Sequence, residues 1–227
     1  QLKNIGFSYT KNKELVLKNI NLELRRGSCI GFMGETGSGK TTLLDIIMGL
    51  LNPTIGKFYV DGQGITQENM ALWRANIAHV PQNIYLSDDT VERNIAFGVP
   101  EGEIDHKRVR KAAKQAQISE SIESWENGYQ TFVGEQGVRL SGGQCQRIGI
   151  ARAIYKQASI LIFDEATSAL DDKTELAVMR EIYKLDKNIT ILIIAHRLSA
   201  LKKCDQVVKL ENGIIQKGSY QEIVIGL

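Results

Sequence analysis

The residues best suited to chemistry lie in a short glycine-rich stretch that ends in a basic and a hydroxyl side chain. In order they are Gly34, Glu35, Thr36, Gly37, Ser38, Gly39, Lys40 and Thr41. Glycines allow successive backbone N–H groups to surround an anion, and the start of a following helix adds its positive end. The spacing G-x-x-x-x-G-K-[ST] is typical of phosphate-binding loops, with the lysine on the β and γ oxygens and the hydroxyl on Mg²⁺. The alternative is a glycine turn with an incidental lysine.

Two acids form a second chemical feature. Asp164 and Glu165 directly follow the apolar run Ile160–Phe163, which is typical of a buried strand. Because α/β proteins bind ligands at the carboxyl edge of the sheet, this strand would deliver both carboxylates to a site. We expect Asp164 to hold Mg²⁺ through its water shell and Glu165 to be the general base for an attacking water. Alternatively, the two acids cap the next helix.

A second potential anion site lies at Leu140-Ser141-Gly142-Gly143-Gln144. Ser141 is placed as the N-cap of a predicted helix, and the two glycines leave backbone N–H groups open. The chain thus has one catalytic lysine, Lys40, but two phosphate-binding helix starts. Either both fold onto one nucleotide, or the second is offered to another copy of the chain.

The spacing of apolar residues predicts the elements that position these motifs. Strands are predicted at Leu2–Tyr9, Val16–Leu24, Ser28–Met33, Ser159–Phe163, Ile189–Ala195, Gln206–Leu210 and Ile214–Gly218. Helices are predicted at Thr41–Leu51, Asp105–Gln117, Gly142–Gln157 and Asp172–Leu185. The first two strands should be antiparallel, and the last two should form a hairpin around Asn212-Gly213. Between about Leu86 and Gln157 the sequence pattern is mostly that of helices, which predicts an inserted helical lobe.

Composition narrows the function. The chain has 227 residues and a formal net charge of +2, which gives little support for a surface dedicated to nucleic acid. Its longest apolar runs, Ile189–Ala195 and Ile160–Phe163, are far shorter than the roughly 20 residues that cross a bilayer. The three cysteines are far apart in sequence and form no metal-binding pattern, so we expect free thiols. The start at Gln1, without Met, suggests a fragment of a larger polypeptide.

Together, the loop at Gly34–Thr41, the segment Leu140–Gln144 and the Asp164-Glu165 pair resemble the nucleotide-binding domain of an ABC transporter. The resemblance covers essentially the whole chain, residues 1–227. It implies an α/β fold: a P-loop NTPase core with a mainly parallel sheet, an antiparallel β subdomain and an inserted helical subdomain at about 86–157. It also implies ATP and Mg²⁺ as cofactors, ATP hydrolysis as the activity, and a homodimer that forms head to tail on ATP binding.

The resemblance implies roles for single residues. Tyr9 and Val16 would hold adenine, and the phosphates and metal would contact Gly34, Thr36, Gly37, Ser38, Gly39, Lys40, Thr41 and Thr42. Gln82 would bind the metal and join it to the helical lobe, and Gln82, His196 and Lys40 would assist Glu165 in catalysis. The γ-phosphate of the opposite copy would be contacted by Ser141, Gly142, Gly143 and Gln144. Asp171 would couple the two sites.

Each of these single residues has a structural alternative. Tyr9 could be a core aromatic, Gln82 a polar loop residue, His196 a satisfied core histidine and Asp171 a helix cap. Cys145 departs from the family, which usually has a basic or polar residue there. That departure leaves the anion site intact.

One segment resembles exporter-type domains of the family. Thr131–Gly137 is similar to the stretch by which such domains touch the cytoplasmic loops of their membrane partner. The surface at Asn83–Gly98 would supply the rest of that interface, with Ile84, Tyr85 and Leu86 as a socket. Packing within the helical lobe is the alternative for these three side chains.

We therefore expect an ATPase that drives export or flipping of a substrate, with a transmembrane domain of the same polypeptide upstream of Gln1. It would lie at the cytoplasmic face of a membrane, the bacterial inner membrane by resemblance, with no nucleic-acid partner. Overall resemblance favours a lipid or lipid-linked glycan as cargo. The alternatives are a soluble ABC ATPase acting on ribosomes or DNA and an importer ATPase subunit, the latter opposed by Val133–Gly137.

Overall fold

A computed structural model of the protein describes residues 1–10, 14–195 and 197–226. The strands are β1 (Leu2–Phe7), β2 (Leu17–Leu22), β3 (Cys29–Met33), β4 (Ile55–Val60), β5 (Gln63–Gly64), β6 (Ile77–Val80), β7 (Ile160–Asp164), β8 (Thr190–Ile194), β9 (Gln206–Glu211) and β10 (Ile214–Gly218). The helices are α1 (Lys40–Ile47), α2 (Met70–Ala75), α3 (Val91–Ile95), α4 (His106–Gln115), α5 (Ser119–Glu123), α6 (Gly142–Tyr155) and α7 (Asp172–Ile182). Every strand and helix predicted from the sequence is confirmed, with ends that differ by a few residues.

The chain forms two compact units. The first contains Gln1–Ile77 and Asn188–Leu227, and the second contains Ala78–Lys187. The second unit is wider than the helical lobe predicted at about 86–157, because it also includes β7 and α7.

The first unit carries two kinds of β-structure. An antiparallel sheet has the strand order β2-β1-β4-β5, which confirms the antiparallel start of the chain. In the other sheet, β3 lies between β8 and β9 and is parallel to both. β10 pairs antiparallel with β9 through a turn at Asn212 and Gly213, both with positive φ (51° and 78°), as the predicted hairpin requires. The mixed α/β architecture is the one expected from the sequence.

The core of the first unit is what holds the glycine-rich loop in place. β3 buries Cys29, Ile30 and Phe32, and α1 buries one face of its helix. The indole N–H of Trp73 donates to the Ile47 carbonyl over 2.7 Å, which satisfies one of the acceptors left open at the end of α1. The loop at 34–39 therefore connects two elements that are both fixed by packing.

The second unit is largely helical between β6 and β7. Helix α6 packs against α3 and α4, and the three central residues of the strand β7, Leu161, Ile162 and Phe163, are apolar and buried. At 14 residues, α6 is the longest of the described helices. In the described ranges, no helix combines the length and apolar character needed to cross a bilayer.

Candidate nucleotide site

The backbone of the phosphate loop depends on glycine at two positions. Gly34 has φ +149°, and a Cβ there would overlap the carbonyl oxygen of Leu210. Gly39, the residue before α1, has φ +103° and lies in the left-handed region. A residue with a side chain would be strained at either position, so this loop conformation requires glycine at both.

Lys40 folds back over this loop. Its Nζ donates hydrogen bonds to the carbonyl oxygens of Gly34 (2.7 Å) and Glu35 (2.8 Å). Both partners are neutral, so the charge of Lys40 is not compensated by these contacts. Lys18 and Lys209, which line the neighbouring cavity, differ because each is paired with an acid, Glu14 at 2.8 Å and Glu211 at 3.0 Å.

The start of α1 leaves polar groups open. Its N-cap residue is Gly39, which has no side chain that could cap the first N–H groups of the helix. The hydroxyl Oγ of Ser38 is buried and has no hydrogen-bond partner in the described part of the chain. Unpaired donors, a buried hydroxyl and the Lys40 charge together fit a bound anion.

A cavity of about 660 Å³ lies beside the loop. Its walls include residues 34–38 of the loop, Val16, Ala195 and the hairpin at 209–213. Cavities of this size accommodate ligands of nucleotide size. The structure thus brings Val16 and the phosphate loop to one cavity.

Tyr9 is placed differently from Val16. Its hydroxyl is 2.8 Å from the Thr42 hydroxyl in α1, and its ring meets Phe7 edge to face at a centroid distance of 4.9 Å. The residue is 62% exposed, so Tyr9 is not a core aromatic. Tyr9 does not line the cavity described above, but it contacts the first turn of α1.

In the second unit, the start of α6 is capped from within. The Ser141 hydroxyl accepts a hydrogen bond from the Gln144 N–H (3.3 Å), and the Gln144 side-chain oxygen accepts one from the Ser141 N–H (2.8 Å). This reciprocal capping box confirms Ser141 as the N-cap. The N–H groups of Gly142 and Gly143 lie inside the capped turn with no side chain of their own to cover them.

A residue that sequence reasoning missed ties α6 to the loop before α7. Gln146 is almost fully buried; its Nε2 donates to the Ser168 hydroxyl (3.0 Å) and its Oε1 accepts from the Ala169 N–H (2.9 Å). A polar side chain on the buried face of a predicted helix was the signal that could have found it, because such groups are buried only when they are paired. Gln146 thereby holds the loop that leads to Asp171.

Asp171 is the N-cap of α7. Its Oδ1 accepts a hydrogen bond from the Thr174 N–H over 3.0 Å. Hydrogen bonds from the side chain and backbone of Thr174 lower the pKa of the Asp171 carboxyl. The helix-cap alternative is therefore confirmed, and a coupling role for Asp171 stays a prediction.

The two acids lie where β7 ends. Asp164 is the last residue of the strand, and Glu165 follows it; both are half-buried. Glu165 has φ +50°, which is an uncommon conformation for a residue with a side chain and is concentrated at functional sites. Gln82 lies after β6 and is exposed. The predicted switch residue His196 lies outside the described residues.

The socket predicted at Ile84, Tyr85 and Leu86 is only partly exposed. Tyr85 is 62% exposed, but Leu86 is fully buried, so its predicted exposure was wrong. Ile84 packs so closely on Gly149 of α6 that a Cβ at Gly149 would meet its side chain at 2.6 Å. Packing inside the second unit therefore accounts for Leu86 and Ile84, and Tyr85 alone of the three faces solvent.

Comparison with known proteins identifies the family. A sequence profile described as ABC transporter matches residues 17–168, which is more than half of the chain. The chain belongs to the ABC transporter family. The ABC match spans the phosphate loop, the Ser141 segment and the two acids of β7, and it confirms the resemblance inferred from those motifs.

Among curated ABC relatives, the chain is 41% identical over 223 residues to an ATP-dependent lipid A-core flippase of Cupriavidus metallidurans, covering 97% of the chain and 38% of that protein. It is 40% identical over 225 residues to the flippase of the same name from Salmonella typhimurium and 39% identical to that of Escherichia coli K12. The matches to the Salmonella typhimurium and Escherichia coli proteins each cover 99% of the chain and 38% of the relative. The chain thus spans less than two fifths of the length of these relatives.

A solved structure gives the same result for the fold. A bacterial Atm1-family ABC exporter with ATP bound superimposes with a TM-score of 0.92 and 34% identity, over 99% of this chain and 39% of the exporter chain. The ABC ATPase fold expected from the sequence is therefore confirmed.

Proposed function

We propose that this ABC domain binds ATP and Mg²⁺ and hydrolyses ATP to drive export or flipping of a lipid or lipid-linked glycan. The observation that carries the nucleotide part is the start of α1, where unpaired N–H groups, the buried Ser38 hydroxyl and the Lys40 charge converge. The names of the flippase relatives support the transport part.

The residues of the first unit fit ATP. Lys40 would exchange its bonds to the Gly34 and Glu35 carbonyls, in whole or in part, for phosphate oxygens, which make stronger charge-assisted hydrogen bonds. The loop glycines and Thr36 would add backbone N–H groups. Val16 and Tyr9 would hold the adenine, and the exposed face of the Tyr9 ring is available for stacking.

Mg²⁺ fits a small set of protein ligands. In the described part of the chain, no cluster of three or more histidine, cysteine or acidic side chains could hold a metal. Mg²⁺ is commonly bound through one or two carboxylates together with phosphates and water, so the proposed set of Thr41, Gln82 and Asp164 would be sufficient. When bound, ATP would supply the phosphoryl group that is transferred to water, and Mg²⁺ would supply positive charge that stabilises the phosphate oxygens.

Glu165 is the proposed general base. A carboxylate at this point can accept the proton of an attacking water, and the side chains of Gln82 and His196 would orient that water. The positive φ of Glu165 supports a functional role, because strained backbone conformations of this kind cluster at active sites and ligand-binding sites.

The start of α6 supports a dimer. Its capping box already satisfies the Ser141 and Gln144 backbone donors, so the remaining N–H groups and the Ser141 proton are organised before any ligand arrives. We propose that Ser141, Gly142, Gly143 and Gln144 of one copy contact the γ-phosphate bound by a second copy. Asp171 would couple the two sites, since Gln146 links its loop to α6.

The rest of the transporter is inferred from the relatives. A membrane domain of the same polypeptide would bind the surface around Tyr85 and Thr131–Gly137, at the cytoplasmic face of a bacterial inner membrane. The small net charge of the domain gives no support for a nucleic-acid partner. ATP-driven closure of the two copies and their reopening after hydrolysis would move the membrane helices between two states.

The first test uses Glu165→Gln in size-exclusion chromatography with light scattering, at high protein concentration, with and without Mg²⁺ and ATP. We expect a nucleotide-dependent shift from monomer to dimer. Ser141→Arg in the same background is the matched variant, because it leaves the phosphate loop untouched while it blocks the start of α6. Dimers that form without nucleotide, or that survive Ser141→Arg, would contradict the shared site.

The cargo is tested separately. The full-length transporter in vesicles should hydrolyse ATP faster when lipid A is added than when phosphatidylethanolamine is added. Equal stimulation by both lipids would refute a glycolipid cargo and leave the ATPase assignment standing.

A further inference from the structure

Two cysteines that are distant in sequence meet at the start of β3, the strand whose other end leads into the phosphate loop. Cys29 begins β3, and Cys204 lies just before β9. Their sulfur atoms are 3.4 Å apart although the residues are 175 positions apart in the chain. Both thiols are buried, at 7% and 9% exposure. In this contact Cys29 is the donor and Cys204 the acceptor.

The backbone around both residues is fixed. The Cys29 N–H donates to the Asp205 carboxylate over 2.7 Å, and the Asp205 N–H donates to the Cys29 carbonyl over 2.8 Å. Gly31 provides the room, because a Cβ there would lie 3.2 Å from the Cys204 sulfur and 2.7 Å from the Leu201 side chain. The fixed backbone on both sides therefore holds the two sulfur atoms close together.

We propose that Cys29 and Cys204 form a reversible disulfide that fastens the segment entering β9 to the strand that carries the phosphate loop. A disulfide needs its sulfurs about 2.05 Å apart, so the pair must approach by little more than 1 Å. The third cysteine, Cys145, lies in the other unit and provides an internal control.

The oxidant is a peroxide, which is small enough to reach a buried thiol. The Cys204 sulfur attacks the O–O bond of hydrogen peroxide; it becomes a sulfenic acid, and the released hydroxide takes up the proton of the Cys204 thiol to give water. The Cys29 sulfur then attacks the sulfenic sulfur. The S–S bond forms, the S–O bond breaks, and the hydroxyl leaves as water with the Cys29 proton. Two thiols and one peroxide give one disulfide and two waters, and a dithiol reductant reverses the reaction.

The environment makes this reaction slow in the native state. The hydrogen bond to Cys204 and burial raise the pKa of the Cys29 thiol above its ordinary value. The thiolate is the reactive form, so oxidation should need sustained peroxide and not trace exposure. The resulting bond would close a very long loop, which restricts the unfolded chain strongly.

The experiment treats the whole chain with hydrogen peroxide and counts free thiols after unfolding, together with a non-reducing peptide map. We expect the count to fall from three to one, with the Cys29 and Cys204 peptides joined and lighter by two hydrogen atoms. The melting temperature should rise by about 10 °C and return to its starting value with dithiothreitol.

Three variants decide the outcome. Cys145→Ser should still form the bond, whereas Cys29→Ala and Cys204→Ser should each lose both the joined peptides and the rise in melting temperature. Circular dichroism checks that each variant is folded, and either of the last two suffices if the other unfolds. A bond that includes Cys145, sulfinic acid on Cys29 or Cys204 without cross-linking, or three thiols left after treatment would each overturn the proposal.

Discussion

Glycines lie at the starts of two helices, α1 and α6, but these starts differ in whether a side chain caps the first backbone N–H groups. Before α1 the N-cap is Gly39, in a left-handed conformation and with no capping side chain. Before α6 the N-cap is Ser141, in an extended conformation and with a complete capping box. The first helix start therefore has no side-chain cap, whereas side chains satisfy the Ser141 and Gln144 N–H groups at the second.

This difference explains how one chain can use two anion sites. An uncapped start with the Lys40 charge and a buried hydroxyl gains most from a bound phosphate, so it suits the primary binding of nucleotide. A self-capped start keeps its shape without a ligand, so it suits a surface presented to a second copy. Substitutions at and around the two helix starts therefore test this contrast.

The largest effect should come from Lys40→Ala. This variant removes the uncompensated charge at α1, and we expect ATP affinity to fall by about 100-fold, the equivalent of about 2.7 kcal/mol. Isothermal titration with ATP measures it. Lys209→Ala is the matched control, because Lys209 lines the same cavity but is paired with Glu211. A similar loss of affinity in both variants would mean that Lys40 has no special role.

Gly39→Ala and Gly142→Ala compare the backbones of the two starts. Gly39 has φ +103° and a Cβ there would lie 3.0 Å from Leu17, so we expect the free energy of unfolding to fall by about 1–2 kcal/mol. Gly142 has no positive φ, and its Cβ would make an ordinary 3.6 Å contact with Ala169, so the change there should be neutral or slightly stabilising. Urea denaturation measures both. Equal destabilisation would remove the proposed contrast.

Ser141→Ala tests the capping box. We expect a loss of about 1 kcal/mol in the free energy of unfolding and faster hydrogen exchange in the first turn of α6. The ATP affinity of the monomer should not change, because the start of α1 is intact. Ser141→Asn keeps an acceptor at the N-cap and should restore most of the stability. Weaker ATP binding by the Ser141→Ala monomer would show that the two starts are not independent.

The smallest effect should come from Tyr9→Phe. It removes the hydrogen bond to Thr42 in α1 but keeps the ring, so we expect a loss of about 0.5–1 kcal/mol in stability and less than a ~3-fold change in ATP affinity. Tyr9→Ala removes the ring as well and should weaken ATP binding further. If the two variants bind ATP equally, the ring is not part of the adenine site.

Sequence patterns located most elements but left the stretch from β4 to β6 unassigned. In β4 only Phe58 is fully buried, so the strand lacks the alternation that would reveal it. The socket at Ile84–Leu86 shows the opposite error. Its apolar residues fit either a partner surface or packing within the helical lobe, and the fold buries Leu86 in the core. A local pattern does not say which neighbour covers an apolar residue.

The sequence by itself determined the family, the phosphate loop, the Ser141 cap and the pair of acids after β7. Each of these depends on residues within a few positions of one another, where glycine conformations, hydrogen-bond reach and strand period are local properties. The tertiary structure alone decided which distant groups meet. It paired Tyr9 with Thr42, placed Gln146 on the loop before α7, and brought Cys29 to Cys204 across 175 residues. Such contacts arise from the way strands and helices pack, and no spacing along the chain encodes them.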